Sequence, residues 1–128
     1  MAAQYRIDTE RGVVFTNAVG PFTDADATDH QRRLASDPAF RPDLDQLSDY
    51  SRVTELQLSA ATVRSLALGS PFRAGSRRAF VIPARDARFG VARMFQTLTD
   101  DHGAELRIFQ DMAEARAWLG LEPEPPAR

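Results

Sequence analysis

The spacing of apolar and polar residues along this chain changes several times, and each change marks an element. The second half is the clearest. Ala79-Phe80-Val81-Ile82 is a short apolar run closed by Pro83, and it reads as a strand. Val91, Met94, Phe95, Leu98 and His102 then recur at i, i+3, i+4, i+7 and i+11, one stripe of a helix that Phe89 and Ala92 widen. Asp86 supplies its N-cap and Gly103 its stop. Glu105 to Phe109 is the next strand. Asp111 caps a last helix, with Glu114 completing a capping box, and Met112, Ala115, Trp118 and Leu119 form its inner side up to Gly120.

The first half is less sharply patterned. Tyr5 to Asp8 and Val13 to Val19 read as a hairpin, with Glu10 to Gly12 at the turn. Gly20-Pro21 is expected to end the second strand. Thr23 caps a helix running to about Ser36, with Asp26 in the capping-box position and a thin inner face of Ala27, His30 and Leu34. Gln46 to Val53 is a candidate strand despite Ser48, Asp49 and Ser51, which are poor strand formers. Ser59 caps a further helix through Val63, Leu66 and Ala67, and Arg73 to Arg78 reads as a basic loop. The resulting order is β-β-α-β-α-β-α-β-α. It predicts one α/β domain over residues 1–121, with about five strands in a mixed, mostly parallel sheet and four helices. Residues 122–128 form a charged, proline-rich tail expected to be disordered.

Composition removes several chemistries. There is no cysteine, so thiol nucleophiles, disulfides and Cys-built zinc sites are excluded. All 16 basic residues are arginine, so Schiff-base chemistry and a Walker-type phosphate loop have no lysine to use. That bias points to a GC-rich bacterial genome. A domain this long buries roughly 70% of the surface its unfolded chain exposes and needs no staple. A net charge of −2 argues against nucleic acid as the partner. No apolar segment approaches a membrane span or a signal peptide, so the expected location is cytoplasmic. The charge is uneven. Thr23 to Asp49 holds seven Asp against three Arg, whereas Pro71 to Arg93 holds six Arg against one Asp. A solvated surface, an oligomer contact and an anion site all fit that asymmetry.

Three segments carry a resemblance: Phe89-Gly90-Val91-Ala92-Arg93-Met94-Phe95, Arg107-Ile108-Phe109-Gln110-Asp111, and Glu114 to Leu119. Together with the element order from about Tyr5 to Leu121, they resemble the STAS or SpoIIAA-like superfamily, and within it small bacterial STAS-like and SEC14-like proteins of unassigned activity. The resemblance implies a regulatory module working through a protein partner or self-association, including homodimerisation. Regulatory members of that superfamily carry an Asp-Ser-Ser-Gly motif whose serine is phosphorylated. It falls on Gln57-Leu58-Ser59-Ala60, where Ser59 alone keeps a hydroxyl. The resemblance therefore makes Ser59 a candidate phosphosite, and helix capping is the competing explanation.

No acid–base or nucleophile set stands out, so the chain reads as non-enzymatic, with no catalytic residues, no metal site and no cofactor. His30 and His102 belong to no metal-spaced cluster. The best candidate site is a rim of arginines. Arg85 and Arg88 flank the start of the helix after the Ala79–Ile82 strand, where free N–H groups favour an anion, and Asp49 and Tyr50 emerge near the neighbouring strand's end. This rim would suit a small anionic molecule or a lipid headgroup. Phe72, Phe89 and Met94 are candidates for an apolar crevice that takes an acyl chain, or for an interface.

Overall fold

The computed structural model describes residues 3–83, 85–100 and 103–123. Five strands, β1 (Ala3–Asp8), β2 (Val13–Thr23), β3 (Asp45–Gln57), β4 (Arg77–Val81) and β5 (Glu105–Phe109), form one sheet in sequential order. Only β1 and β2 pair antiparallel; the others run parallel. The four helices are α1 (Asp24–Ala35), α2 (Ala60–Leu68), α3 (Ala87–Thr99) and α4 (Met112–Trp118). None is long and apolar enough to cross a membrane. Element order and sheet composition are those expected from the sequence.

Local signals account for the helix starts. Thr23 Oγ1 accepts from the Asp26 N–H while the Asp26 carboxylate accepts from the Thr23 N–H, a complete capping box. Ser59, Asp86 and Asp111 each accept a first-turn N–H. The box expected at α4 does not form, because Asp111 binds Ala113 and Glu114 stays exposed. In the hairpin, Gly12 takes φ 71° and returns its N–H to the Asp8 carbonyl at 2.9 Å.

Several boundaries differ from expectation, each for a reason of pairing. Strand β2 runs through Gly20-Pro21 to Thr23. Pairing with β1 stops at Ala18, so the imino nitrogen of Pro21 lies on an unpaired edge and costs no ladder bond. The extension carries β3 with it to Gln57, since Pro21, Phe22 and Thr23 pair with Glu55, Leu56 and Gln57. The stretch Arg73–Arg78 is not all loop. Arg77 and Arg78 open β4, opposite Glu105 and Leu106 of β5. Glu122 and Pro123 of the expected tail are described, with the Glu122 carbonyl accepting from Arg116 at 2.6 Å; residues 124–128 lie outside the described residues, as does His102.

The pleat sends alternate residues to opposite faces. One face is apolar. Val13, Leu47, Ala79 and Val81 meet Ala115 of α4 and Leu119 at its C-cap, with Phe15, Phe109 and Trp118 around them. The other face, under α1, α2 and α3, holds two further apolar clusters centred on Val53 with Phe22 and on Leu34 with Phe72. Between those clusters the inward positions are polar: Thr16, Gln46, Ser48 and Arg78, all buried. On α3 the expected stripe is only half-buried, and the buried positions are Ala92 and Thr99. That helix packs chiefly on α2 and also meets the sheet, where Phe95 stacks on Phe80 at 5.8 Å and Gln96 Nε2 donates to the Leu106 carbonyl at 2.7 Å.

Candidate functional site

The space left beneath α3 is a cavity of about 90 Å³. Its floor is the sheet, at Gln46, Tyr50, Arg78 and Phe80. His30 of α1, Leu66 of α2, and Val91 and Phe95 of α3 enclose it. Leu58, Leu66 and Val91 are half-buried, so this side of the wall meets solvent.

Arg78 organises the site. Its residue is 6% exposed. The guanidinium carbon lies 4.3 Å over the Phe72 ring centroid, with Phe80 at 5.3 Å and Phe95 at 5.4 Å. Such contacts offset part of the cost of burying a cation. Its Nε donates to Gln46 Oε1 at 2.9 Å, and Nη1 donates to Ser70 Oγ at 3.3 Å. Among the described residues no carboxylate forms an ion pair with it, and Nη2 has no protein acceptor but is not a sealed, orphaned atom. Burial lowers its pKa to about 10, with the Tyr50 hydroxyl acting in the opposite sense. The side chain therefore stays cationic at neutral pH.

Arginine only donates, and this fixes the orientation of its neighbours. Gln46 must turn Oε1 toward Arg78, so its Nε2 donates to Thr16 Oγ1 at 3.2 Å. The Thr16 proton is then free to go to His30 Nε2, 3.3 Å away. Neutral His30 completes the chain as acceptor. Burial above all, then Arg33 and Arg78, lowers its pKa to about 4, against a smaller raising effect of Asp29. Gln46 and Arg78 face each other across β3 and β4 in register, which is why this chain can form at all. Tyr50 packs edge-on against Phe80 at 5.4 Å, and burial of its hydroxyl raises its pKa. Ser48 Oγ, fully buried beside it, meets no partner at full hydrogen-bond geometry.

The structure distributes the sequence candidates differently. Tyr50 lines the cavity. Asp49 falls on the alternate side of the pleat, where its carboxylate accepts the Ser51 N–H at 2.9 Å. Arg88 forks onto its own helix cap, Asp86, at 2.9 Å, and donates to the Val53 carbonyl at 2.7 Å. These contacts raise the Arg88 pKa and lower that of Asp86. Arg85 is exposed and lies 5.1 Å over the Phe89 ring. Arg85 and Arg88 thus flank a helix end already filled by Asp86. Phe72 is buried against Phe40 and beneath Arg78, outside the cavity wall. Phe89 and Met94 are half-buried, and the wall is made by Val91, Ala92 and Phe95 of the same helix. Ser59 Oγ caps α2 and lies 3.1 Å from the Asp24 carboxylate. No group of three or more potential metal-ligating side chains occurs among the described residues.

Sequence reasoning missed Arg78 and Gln46. The usable signal was polar residues at every second position of a central strand, Gln46, Ser48 and Tyr50, where a parallel sheet ordinarily reads as near-continuous apolar residues.

No protein-family model matches the chain, and no curated protein does. Among solved structures it is similar to an uncharacterised protein of the DUF3478 family, described as having a SpoIIAA-like fold, from Shewanella loihica PV-4. The TM-score is 0.62 at 21% identity, over 92% of this chain and 94% of that one. The chain has a SpoIIAA-like fold. That agrees with the element order and the superfamily resemblance read from the sequence. The likeness extends to the fold. In this SpoIIAA-like domain the functional reading rests on the cavity and its arginine.

Proposed function

We propose that this SpoIIAA-like protein is a non-enzymatic binding module whose ligand is a small amphipathic anion. One observation carries the reading: a buried guanidinium, cationic at neutral pH, with no ion-paired carboxylate and a free Nη2 among the described residues, lines an apolar cavity. Burying a cation without a counter-charge is costly, and an anion entering from solvent removes that cost. The cavity wall supports binding rather than turnover. Among the described residues it carries neither a carboxylate nor an aliphatic hydroxyl, and its one imidazole is neutral and engaged with Thr16.

A second reading, a regulatory module acting through protein contacts or self-association, is favoured by α2. Its outer face presents Leu68, 64% exposed, beside Ala61 and Arg64. Native mass spectrometry of protein purified from its own host separates the two. A low-mass adduct on the wild type that is lost in Arg78→Met supports the binding module. Dimer or partner masses with no small adduct support the second reading.

A further inference from the structure

Resting on that reading, we infer that the ligand is a small monocarboxylate whose two oxygens sit on the free N–H groups of the Arg78 guanidinium, with a single ring or short chain packed beside the stacked Phe80–Phe95 pair and Leu66. Three features of the cavity point this way.

The first is charge. Arg78 is the one formally charged side chain on the described cavity wall, since His30 is neutral. A monoanion leaves the filled cavity neutral. A phosphate dianion would bury an excess negative charge beside an apolar wall, which is unfavourable.

Donor geometry is the second. A guanidinium offers five N–H groups in a planar fork. Gln46 takes Nε–H and Ser70 takes one hydrogen of Nη1. What remains is one hydrogen on Nη1 and both on Nη2, enough donors to meet the two oxygens of a carboxylate. Phe72 under the plane and the Gln46–Thr16–His30 chain along its edge hold that fork in place before anything binds. Tyr50, kept protonated by its raised pKa, is a further donor on the same floor.

Size is the third. The volume is about 90 Å³, against the roughly 150 Å³ of an apolar cavity that takes benzene and the ~300 Å³ or more usual for drug-sized ligands. One ring fits if the half-buried Leu58, Leu66 and Val91 give slightly. The two chains of a membrane lipid do not fit.

Calorimetric titration at neutral pH with three probes of one body size tests this: phenylacetate, phenyl phosphate and 2-phenylethanol. The expected result is one-to-one binding of phenylacetate, roughly tenfold or more tighter than either of the others. Arg78→Met should bring phenylacetate down to the level of 2-phenylethanol. Val91→Trp fills the cavity from α3 without touching the polar chain, so it should abolish binding of phenylacetate. It serves as the control should Arg78→Met not fold. Tighter binding of phenyl phosphate overturns the monocarboxylate and leaves the anion-binding reading standing. Equal binding of 2-phenylethanol overturns both. If none of the three binds, the monocarboxylate is overturned, and an adduct retained on the native protein would still uphold the broader reading.

Discussion

Arg77 and Arg78 are neighbours in the chain and opposites in the fold. The pleat sends Arg77 to the α4 face, where it is half-exposed and fully engaged. It donates to the Trp118 and Leu119 carbonyls at 2.7 and 3.2 Å, lies 5.5 Å over the Trp118 ring, and pairs with the Asp45 carboxylate at 3.5 Å. There it closes the end of a helix that covers an apolar core. Arg78 enters the other face, buried deeper and with less to hold. The same residue type serves packing on one side and leaves a charge unmatched on the other. One face of this sheet is closed by its own chain, and the other holds the cavity to which we assign a ligand. Substitutions on the two faces should therefore separate stability from binding.

The largest effect belongs to the closed face. Leu47→Ala removes a 4%-exposed side chain from the cluster under α4. It should cost about 2–5 kcal/mol in urea unfolding, with the affinity of any cavity ligand unchanged. A change in affinity with little loss of stability would mean the two faces are not separable.

Acid should attack the cavity face. His30 titrates near 6.5 when unfolded and near 4 when folded. Between those values the unfolded chain binds the extra proton, so stability rises with pH through the window and falls as pH drops from about 6.5 toward 4. The slope approaches about 1.4 kcal/mol per pH unit. Asp24, Asp29, Asp37 and Asp86, all held below the usual 3.8 by hydrogen bonds, begin to add their losses at about pH 5 and deliver most of them below about 4. Urea unfolding at stepped pH should show this slope in the wild type and its disappearance in His30→Gln above about pH 5, where the aspartates do not yet contribute. A flat wild-type profile between pH 6.5 and 4 would mean that His30 is solvated and the polar chain open.

What the sequence made legible and what it hid divide along the same line. The caps at Thr23, Ser59, Asp86 and Asp111 are local chemistry, decided within a few residues, and they read directly. Strand ends are decided by partners. Nothing within Gly20-Pro21 says that β3 continues alongside it. Arg78 was obscured because it sits in a run of arginines that looks solvated, and only its register opposite Gln46 makes it interior. Alternation of Arg78, Phe80 and Ile82 was available as a clue, but a polar first member is easily taken for loop. For α3, amphipathicity fixed the helix but not its depth. A stripe of Val91, Phe95 and Leu98 can seal against a sheet or roof a cavity, and the spacing is identical in both cases.

A smaller effect sharpens the role of Arg78. In Arg78→Met two hydrogen bonds and three ring contacts are lost, while the burial cost of a lone cation is relieved. The unliganded variant should therefore lie within about 1 kcal/mol of wild type in urea unfolding. A loss of about 3 kcal/mol or more would make the residue a structural support and would move the contrast between the faces from function to packing.

An effect of similar size concerns Ser59, where capping and phosphorylation compete. Its Oγ accepts the Thr62 N–H at 3.1 Å, and its own N–H and hydroxyl both reach the Asp24 carboxylate, at 2.9 and 3.1 Å. Those bonds hold Asp24 below its ordinary pKa. If capping is the whole role, Ser59→Ala should cost about 1 kcal/mol, and Ser59→Asn should recover most of it, because both Asn and Ser cap well. Ser59→Asp should recover less, since its carboxylate would face that of Asp24. A phosphoryl group would meet the same repulsion more strongly, with no arginine bonded to Ser59 among the described residues to receive it. Incubating the protein with a serine kinase and following the Ser59 and Asp24 amides distinguishes the roles. A stoichiometric phosphoserine that leaves α2 intact would show the site tolerates the added charge, and capping alone would no longer explain why a hydroxyl stands there.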